Sequence, residues 1–249
     1  MDVVQGKVVI VTGGARGIGR AYCEALAKEG ACVVVADILD QSETLDAVRL
    51  TGGEAIGVTV DISNESSNEA MATSAVDKYG RIDVLINNAA LFSETTRGPF
   101  HSLTVAEWDR AFAVNVRGVW LSCKAVYPHM SKQKSGKIIN VASNTVYKGT
   151  IGFPHYVASK SALLGLTRCL ALELGPEGIT VNTVSPDLIP NPDLRPSDDT
   201  SNRFVVASRA LKRTQVAADM VGTMLYFCSD ASNFVTGQSL LVNGGAYFL

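Results

Sequence analysis

Tyr156 and Lys160 stand four residues apart in a segment with helical spacing, Pro154 to about Leu174, so their side chains rise from one face a turn apart. A lysine ammonium beside a phenol stabilises the phenolate and draws a tyrosine pKa down from about 10 toward working pH. Such a phenol can take the proton of an alcohol or return it to a ketone. Ser143, at the end of the apolar run Gly136 to Ala142, offers a hydroxyl that can hold the same oxygen. By itself Tyr-x3-Lys is common by chance, and an exposed helical pair has the same pattern. The chemistry depends on what else the chain brings to these residues.

The amino-terminal stretch supplies part of that company. Val8 to Val11 has the length and β-branching of a strand buried on both faces, and Ile18, Tyr22 and Leu26 recur with helical spacing after it. Between them runs Gly13-Gly14-Ala15-Arg16-Gly17-Ile18-Gly19. Glycines let the chain turn tightly and let bare backbone approach a pyrophosphate, which then rests on the unpaired N–H groups of a helix N-terminus. A second apolar strand, Ala31 to Ala36, ends at Asp37, twenty residues beyond Gly17. A carboxylate there accepts hydrogen bonds from adenosine ribose hydroxyls and repels a 2′-phosphate, which favours NAD over NADP. The competing role for Asp37 is to cap the helix that begins near Asp40. Arg16 pulls the other way, since its cation can serve a 2′-phosphate as well as a pyrophosphate, but the carboxylate carries more weight.

Composition narrows the class. The 249 residues are 47% hydrophobic and 18% charged, with a formal net charge of −2, as in a well-buried globule with no basic surface for nucleic acid or anionic membrane. No apolar stretch approaches the length of a membrane span, and the amino terminus lacks the basic-then-apolar order of a signal peptide, so a cytoplasmic location is expected. Five cysteines form no C-x-x-C and sit in apolar contexts, as expected of reduced, buried thiols. The three histidines are scattered, so no catalytic metal is expected.

Strands and helices alternate along the chain without an internal repeat, which predicts one α/β domain over 1–249 built on a parallel sheet. After Asp37 come a helix to Leu50, a strand Glu54 to Val60 ending at Asp61-Ile62, and a helix begun by Ser63-Asn64-Glu65. The short strand Ile82 to Ile86 opens into Asn87-Asn88-Ala89-Ala90, small and amide residues suited to a ligand at a strand's carboxyl end. Thr104-Val-Ala-Glu107 has the capping-box pattern and starts one long helix, to about Ser131, that holds Asn115 among apolar neighbours. Ile179 to Val184 and Ser239 to Val242 complete seven strands. Residues 185–213 stand apart: Ser185 to Asn202 holds Pro186, Pro190, Pro192 and Pro196, half of the chain's eight prolines, and Phe204 to Leu211 reads as a short helix, together a lid over a site.

In order and spacing, the sequence resembles the short-chain dehydrogenase/reductase family over nearly its whole length. Thr12 to Gly19 is similar to the family's cofactor turn, Asn87-Asn88-Ala89-Ala90 to its Asn-Asn-Ala-Gly segment, and Asn115, Ser143, Tyr156 and Lys160 to its catalytic four. The resemblance implies a doubly wound Rossmann sheet of seven strands, ordered release of NAD(P), and a homotetramer (or homodimer) packed through the long helices and last strand. It places Gly13, Arg16, Gly17, Ile18 and Gly19 on the cofactor, with Asp37 and Ile38 at the adenosine and Asp61 and Ile62 bordering the adenine. Asn88, Ala89 and Ala90 lie near its ribose, Tyr156 and Lys160 at the nicotinamide ribose, and Pro186 and Ile189 at the nicotinamide end. It implies that Asn115 holds a water linking Lys160 to solvent. Three departures stand out. Ala90 replaces a glycine, Asp187 replaces the glycine after Pro186, and Asn243 replaces the aspartate before Gly244-Gly245. Asp187 is expected to point to solvent, or else to orient a polar or cationic substrate.

The substrate pocket is expected to be walled by Leu91, Phe92, Asn144, Thr145, Val146, Phe153, Leu188, Ile189 and Phe204, with Ser143, Tyr156 and Asp187 facing the substrate. That mixed lining suits a small to medium secondary alcohol or ketone. His155 points about 100° away from Tyr156 on a helix, which predicts a structural role. No cluster of basic residues in sequence marks a coenzyme A or carrier-protein phosphate site. Three readings follow: an NAD-dependent alcohol dehydrogenase, an NADP-dependent ketone or 3-oxoacyl reductase, and a dinucleotide-binding sensor that turns nothing over. The intact Ser-Tyr-Lys set favours the first.

Overall fold

The computed structural model describes residues 3–92, 95–190 and 199–248. Alternation of side chains along a strand explains why the apolar runs are unbroken. In β1 (Val8–Thr12), Val9 and Val11 enter one core cluster and Ile10 the other. Both faces of the sheet are covered, which favours apolar residues on each, and a buried polar pair such as Asn87 and Asn140 is hydrogen-bonded, at 2.9 Å.

Seven parallel strands lie in the order β3-β2-β1-β4-β5-β6-β7: β2 (Cys32–Asp37), β3 (Glu54–Thr59), β4 (Val84–Asn87), β5 (Gly136–Val141), β6 (Ile179–Pro186) and β7 (Ser239–Val242). The chain winds outward to β3, then returns to place β4 on the other side of β1. Ligands of open α/β sheets bind at the carboxyl ends beside such a switch. Tyr22 and Leu26 of α1 (Gly17–Lys28) cover one face with Val48 of α2 (Ser42–Leu50) and, from near the carboxyl terminus, Met220 and Met224 of α9 (Ala218–Cys228). Met71 of α3 (Glu65–Tyr79), Val126 of α5 (Val119–Gln133) and Leu163 of α7 (Pro154–Leu174) cover the other.

Helix starts follow local chemistry. Asn64 caps α3 by accepting the Ser67 N–H at 3.0 Å. Thr104 and Glu107 close a reciprocal capping box at α4 (Val105–Phe112), satisfying two otherwise unpaired N–H groups. The single long helix expected from Thr104 is instead α4, a π-helical turn Ala113–Gly118, and α5. The wider turn carries buried Asn115. Two further short helices were read differently or missed: α6 (Thr145–Lys148) follows Ser143, and α8 spans Asp199–Ser208 rather than Phe204 to Leu211. Most of the proline-rich stretch, including Pro192 and Pro196, lies outside the described residues.

Cys23, Cys123 and Cys228 are buried as expected, whereas Cys169 is exposed, because it faces outward from α7. Among the described residues no helix is long and apolar enough to cross a membrane, and no group of three or more His, Cys, Asp or Glu residues is placed to hold a metal ion.

Candidate active site

The glycine turn packs with no room for side chains. A Cβ on Gly19 would lie 1.9 Å from the Gly13 carbonyl oxygen, and Gly13 has a φ of +67° with Ala89 Cα only 2.8 Å from where its Cβ would be. The Asn88 amide fastens this turn by donating to the Thr12 and Gly13 carbonyls, both at 3.0 Å. Asn88 thus shapes the loop and, with Ala89 and Ala90, lines the cavity in front of it.

Asp37 is buried at the end of β2. Its Oδ2 accepts the Ala15 N–H at 2.9 Å and its Oδ1 the Leu39 N–H at 3.0 Å, and the residue lines the cavity. It does not cap α2. The N-cap position of α2 is Gln41, which makes no side-chain cap, and Asp40 before it accepts from the Ser42 N–H at 3.2 Å. Arg16 is exposed along the same wall, and Ile38 is 65% exposed. Asp61 closes a local turn by accepting from the Ser63 N–H at 2.9 Å, beside buried Ile62.

The cavity of about 1080 Å³ continues from this end to Ser143, Tyr156 and Lys160, which all line it. The Ser143 oxygen accepts from the Thr145 hydroxyl at 3.0 Å and the Thr145 N–H at 3.2 Å, so its own proton is aimed elsewhere. The Ser143 side chain lies near enough to the Tyr156 phenol to favour its ionised form. Its ring sits in an aromatic cluster, with Phe153 stacked at 4.6 Å and Phe92 tilted at 5.3 Å. Lys160 Nζ donates to the Val141 carbonyl at 2.7 Å.

The electrostatics differ from expectation. Burial pushes the Tyr156 phenol up to about 12, against smaller downward pulls from the Ser143 side chain and the charge of Arg97. Burial also brings Lys160 down to about 8. Desolvation disfavours both charged forms at once, so in the protein alone it outweighs the stabilisation expected from the lysine. A cation bound beside the phenol would act in the opposite sense.

Asn115 is fully buried, with Nδ2 donating to the Leu91 carbonyl at 3.2 Å and the Ser159 hydroxyl at 3.1 Å and Oδ1 accepting the Leu91 N–H at 2.8 Å. Ser159 in turn donates to the Tyr156 carbonyl at 2.8 Å, so Asn115 ties the pocket wall to the helix that carries Tyr156 and Lys160. His155 is buried against the Phe153 ring, and burial lowers its pKa, which keeps it neutral.

Asp187 does not point to solvent. Its side chain is 2% exposed and pairs with Arg209 at 3.1 Å and Lys148 at 3.0 Å. Desolvation alone would raise its pKa, but Lys148, Asn144 and Arg209 together hold the carboxyl below its ordinary value. Asn144 donates to Asp187 at 3.3 Å and accepts from Asn243 at 3.1 Å, so two of the departures from the family pattern share one network. Being fully buried in it, Asn144 does not line the pocket, nor does Val146. Pro186, Leu188, Ile189, Thr145 and buried Phe153 line the cavity, as does Phe204, which is 80% exposed. Arg97, Arg110 and Lys148 also line the cavity and were missed, since they come from three distant segments.

This sheet, glycine turn and Ser-Tyr-Lys cluster define a nicotinamide-dinucleotide oxidoreductase of the short-chain type. A family model described as enoyl-(acyl carrier protein) reductase, of the short-chain alcohol dehydrogenase group, matches residues 13–247. A (2S)-[(R)-hydroxy(phenyl)methyl]succinyl-CoA dehydrogenase subunit of Thauera aromatica is 36% identical over 97% of this chain and 97% of its own. A cyclopentanol dehydrogenase of Comamonas sp. is 35% identical over 98% of each chain. A solved structure from Sinorhizobium meliloti 1021, provisionally assigned as a short-chain alcohol dehydrogenase, superposes with a TM-score of 0.92 at 29% identity, covering 98% of both chains. The chain belongs to the short-chain dehydrogenase/reductase family.

Proposed function

We propose that the protein is an NAD-dependent dehydrogenase of small to medium secondary alcohols, with Tyr156 as general acid/base. The observation that carries the cofactor reading is Asp37, a carboxylate lining the cavity and fixed to the glycine turn through Ala15 N–H. The cradle fits a dinucleotide, because the bare backbone of Gly13, Gly17 and Gly19 lines the cavity where α1 begins. Gly13 to Gly19 would hold the pyrophosphate, Asp37 the adenosine ribose, and Lys160 the nicotinamide ribose. When bound, the nicotinamide supplies the hydride acceptor or donor.

The chain's own groups handle the proton. Ser143 holds the substrate oxygen, and Tyr156, which lines the same cavity, exchanges its proton with that oxygen. Phe92 and Phe153 clamp the phenol ring and exclude water around it. Lys160, still protonated near neutrality with a pKa of about 8, supplies positive charge from the same helix face. Asn115 positions that helix through Ser159.

Arg16 favours the second reading, an NADP-dependent reductase, because it is exposed on the same wall as Asp37. Fluorescence titrations with NADH and NADPH separate the two. Tighter NADH binding is expected, and tighter NADPH binding would overturn the cofactor assignment. Oxidation of a panel of secondary alcohols with NAD tests the activity, and a panel without turnover would favour a sensor.

A further inference from the structure

Lys148 ends α6, five residues beyond Ser143, and its side chain is 32% exposed along the cavity. Its partner Asp187 is shared with Arg209, so two cations meet one carboxylate and the cluster keeps a net positive charge. Arg209 cannot present that charge. Its side chain is 1% exposed, and its other N–H groups donate to the Arg213 carbonyl at 3.0 Å and the Leu188 carbonyl at 2.8 Å. Among the described residues Lys148 makes a single hydrogen bond, to Asp187 Oδ1, while an ammonium carries three donors. A second cation stands at the same end: the Arg97 guanidinium carbon lies 4.6 Å over the Phe153 ring, which stacks on Tyr156.

We propose that the alcohol or ketone taken by this pocket carries a carboxylate, and that Lys148, held in place by Asp187, receives it. This rests on the dehydrogenase reading and adds to it the class of substrate. Asp187 restrains the lysine without neutralising the pair it forms with Arg209, and a charge-assisted bond to a substrate carboxylate completes the shell of Lys148. The anion is then anchored on the segment that carries Ser143, which fixes the distance from carboxylate to carbinol. A cationic substrate would meet Lys148 and be repelled.

Two measurements on wild type, Lys148→Met and Lys148→Arg test this. The first is kcat/KM with NAD for 3-hydroxycyclohexanecarboxylate against its carboxamide. Wild type should prefer the carboxylate by about tenfold or more, chiefly through KM, as a charge-assisted contact implies. Lys148→Met should bring the ratio close to one, and Lys148→Arg should restore part of it. The second is calorimetric titration of the protein, with and without NADH, using cyclohexanecarboxylate and cyclohexanecarboxamide. Tighter carboxylate binding that depends on Lys148 is expected. Equal binding of the two, or a ratio unchanged in Lys148→Met, would overturn the proposal. Carboxylate binding through Lys148 without turnover of either alcohol would support the anion site and overturn the dehydrogenase reading instead.

Discussion

Replacing Asp187 by asparagine keeps the shape and removes the charge, which isolates the buried ion pair with Arg209. Both side chains of the Asp187–Arg209 pair are at most 2% exposed and lie 3.1 Å apart. The variant leaves Arg209 buried without its counter-charge, a change that costs about 3–5 kcal/mol. For a chain of 249 residues this lowers Tm by about 6–20 °C. The Asp187 pKa is depressed in the folded state, so its stabilisation is fully present above the unfolded value of about 3.9 and fades as pH falls through the lower folded one. The gap between wild type and variant in urea melts should therefore be level from neutrality to about pH 4 and narrow below it. The double variant Asp187→Asn/Arg209→Met removes the stranded cation and should recover much of the loss. A loss below about 1 kcal/mol, typical of a surface pair, or a double variant no more stable than the single, would refute the reasoning.

Gly19→Ala would set a methyl 1.9 Å from the Gly13 carbonyl oxygen, so the turn must open. NADH affinity should fall by about tenfold or more in a fluorescence titration, because the pyrophosphate cradle is what moves. Lys160→Met should abolish turnover yet stabilise the protein without cofactor. Burial lowers the lysine pKa from 10.5 to about 8, a penalty of about 3 kcal/mol before the lost Val141 contact is counted. That penalty is full below about pH 8 and lifts as pH rises toward 10.5, so melts compared at pH 7 and pH 10 should show the variant's advantage shrinking.

What the sequence disclosed was local or repeated in a fixed spacing. The strand, glycine turn and helix from Val8 to Lys28 lie where the apolar period and glycines put them, and the Thr104–Glu107 box is closed by residues three apart. Asp187 was misread because its partners, Lys148 and Arg209, are 39 and 22 residues away and meet it only through the fold. The same holds for Arg97, Arg110 and Lys148, which form no basic run yet line one cavity. Spacing placed Tyr156 and Lys160 together but said nothing of their desolvation, which sets the pKa of each. The π-helical turn at Ala113–Gly118 has no period of its own, and it arises where buried Asn115 reaches Leu91 and Ser159.

The central claim is that the Tyr156 phenol moves the proton, and removing its oxygen alone is the most direct test. With NAD and an alcohol that wild type oxidises, Tyr156→Phe should lower kcat by about a hundredfold or more, the scale of general acid–base catalysis, while NADH binding is retained. Turnover undiminished in that variant would contradict the mechanism.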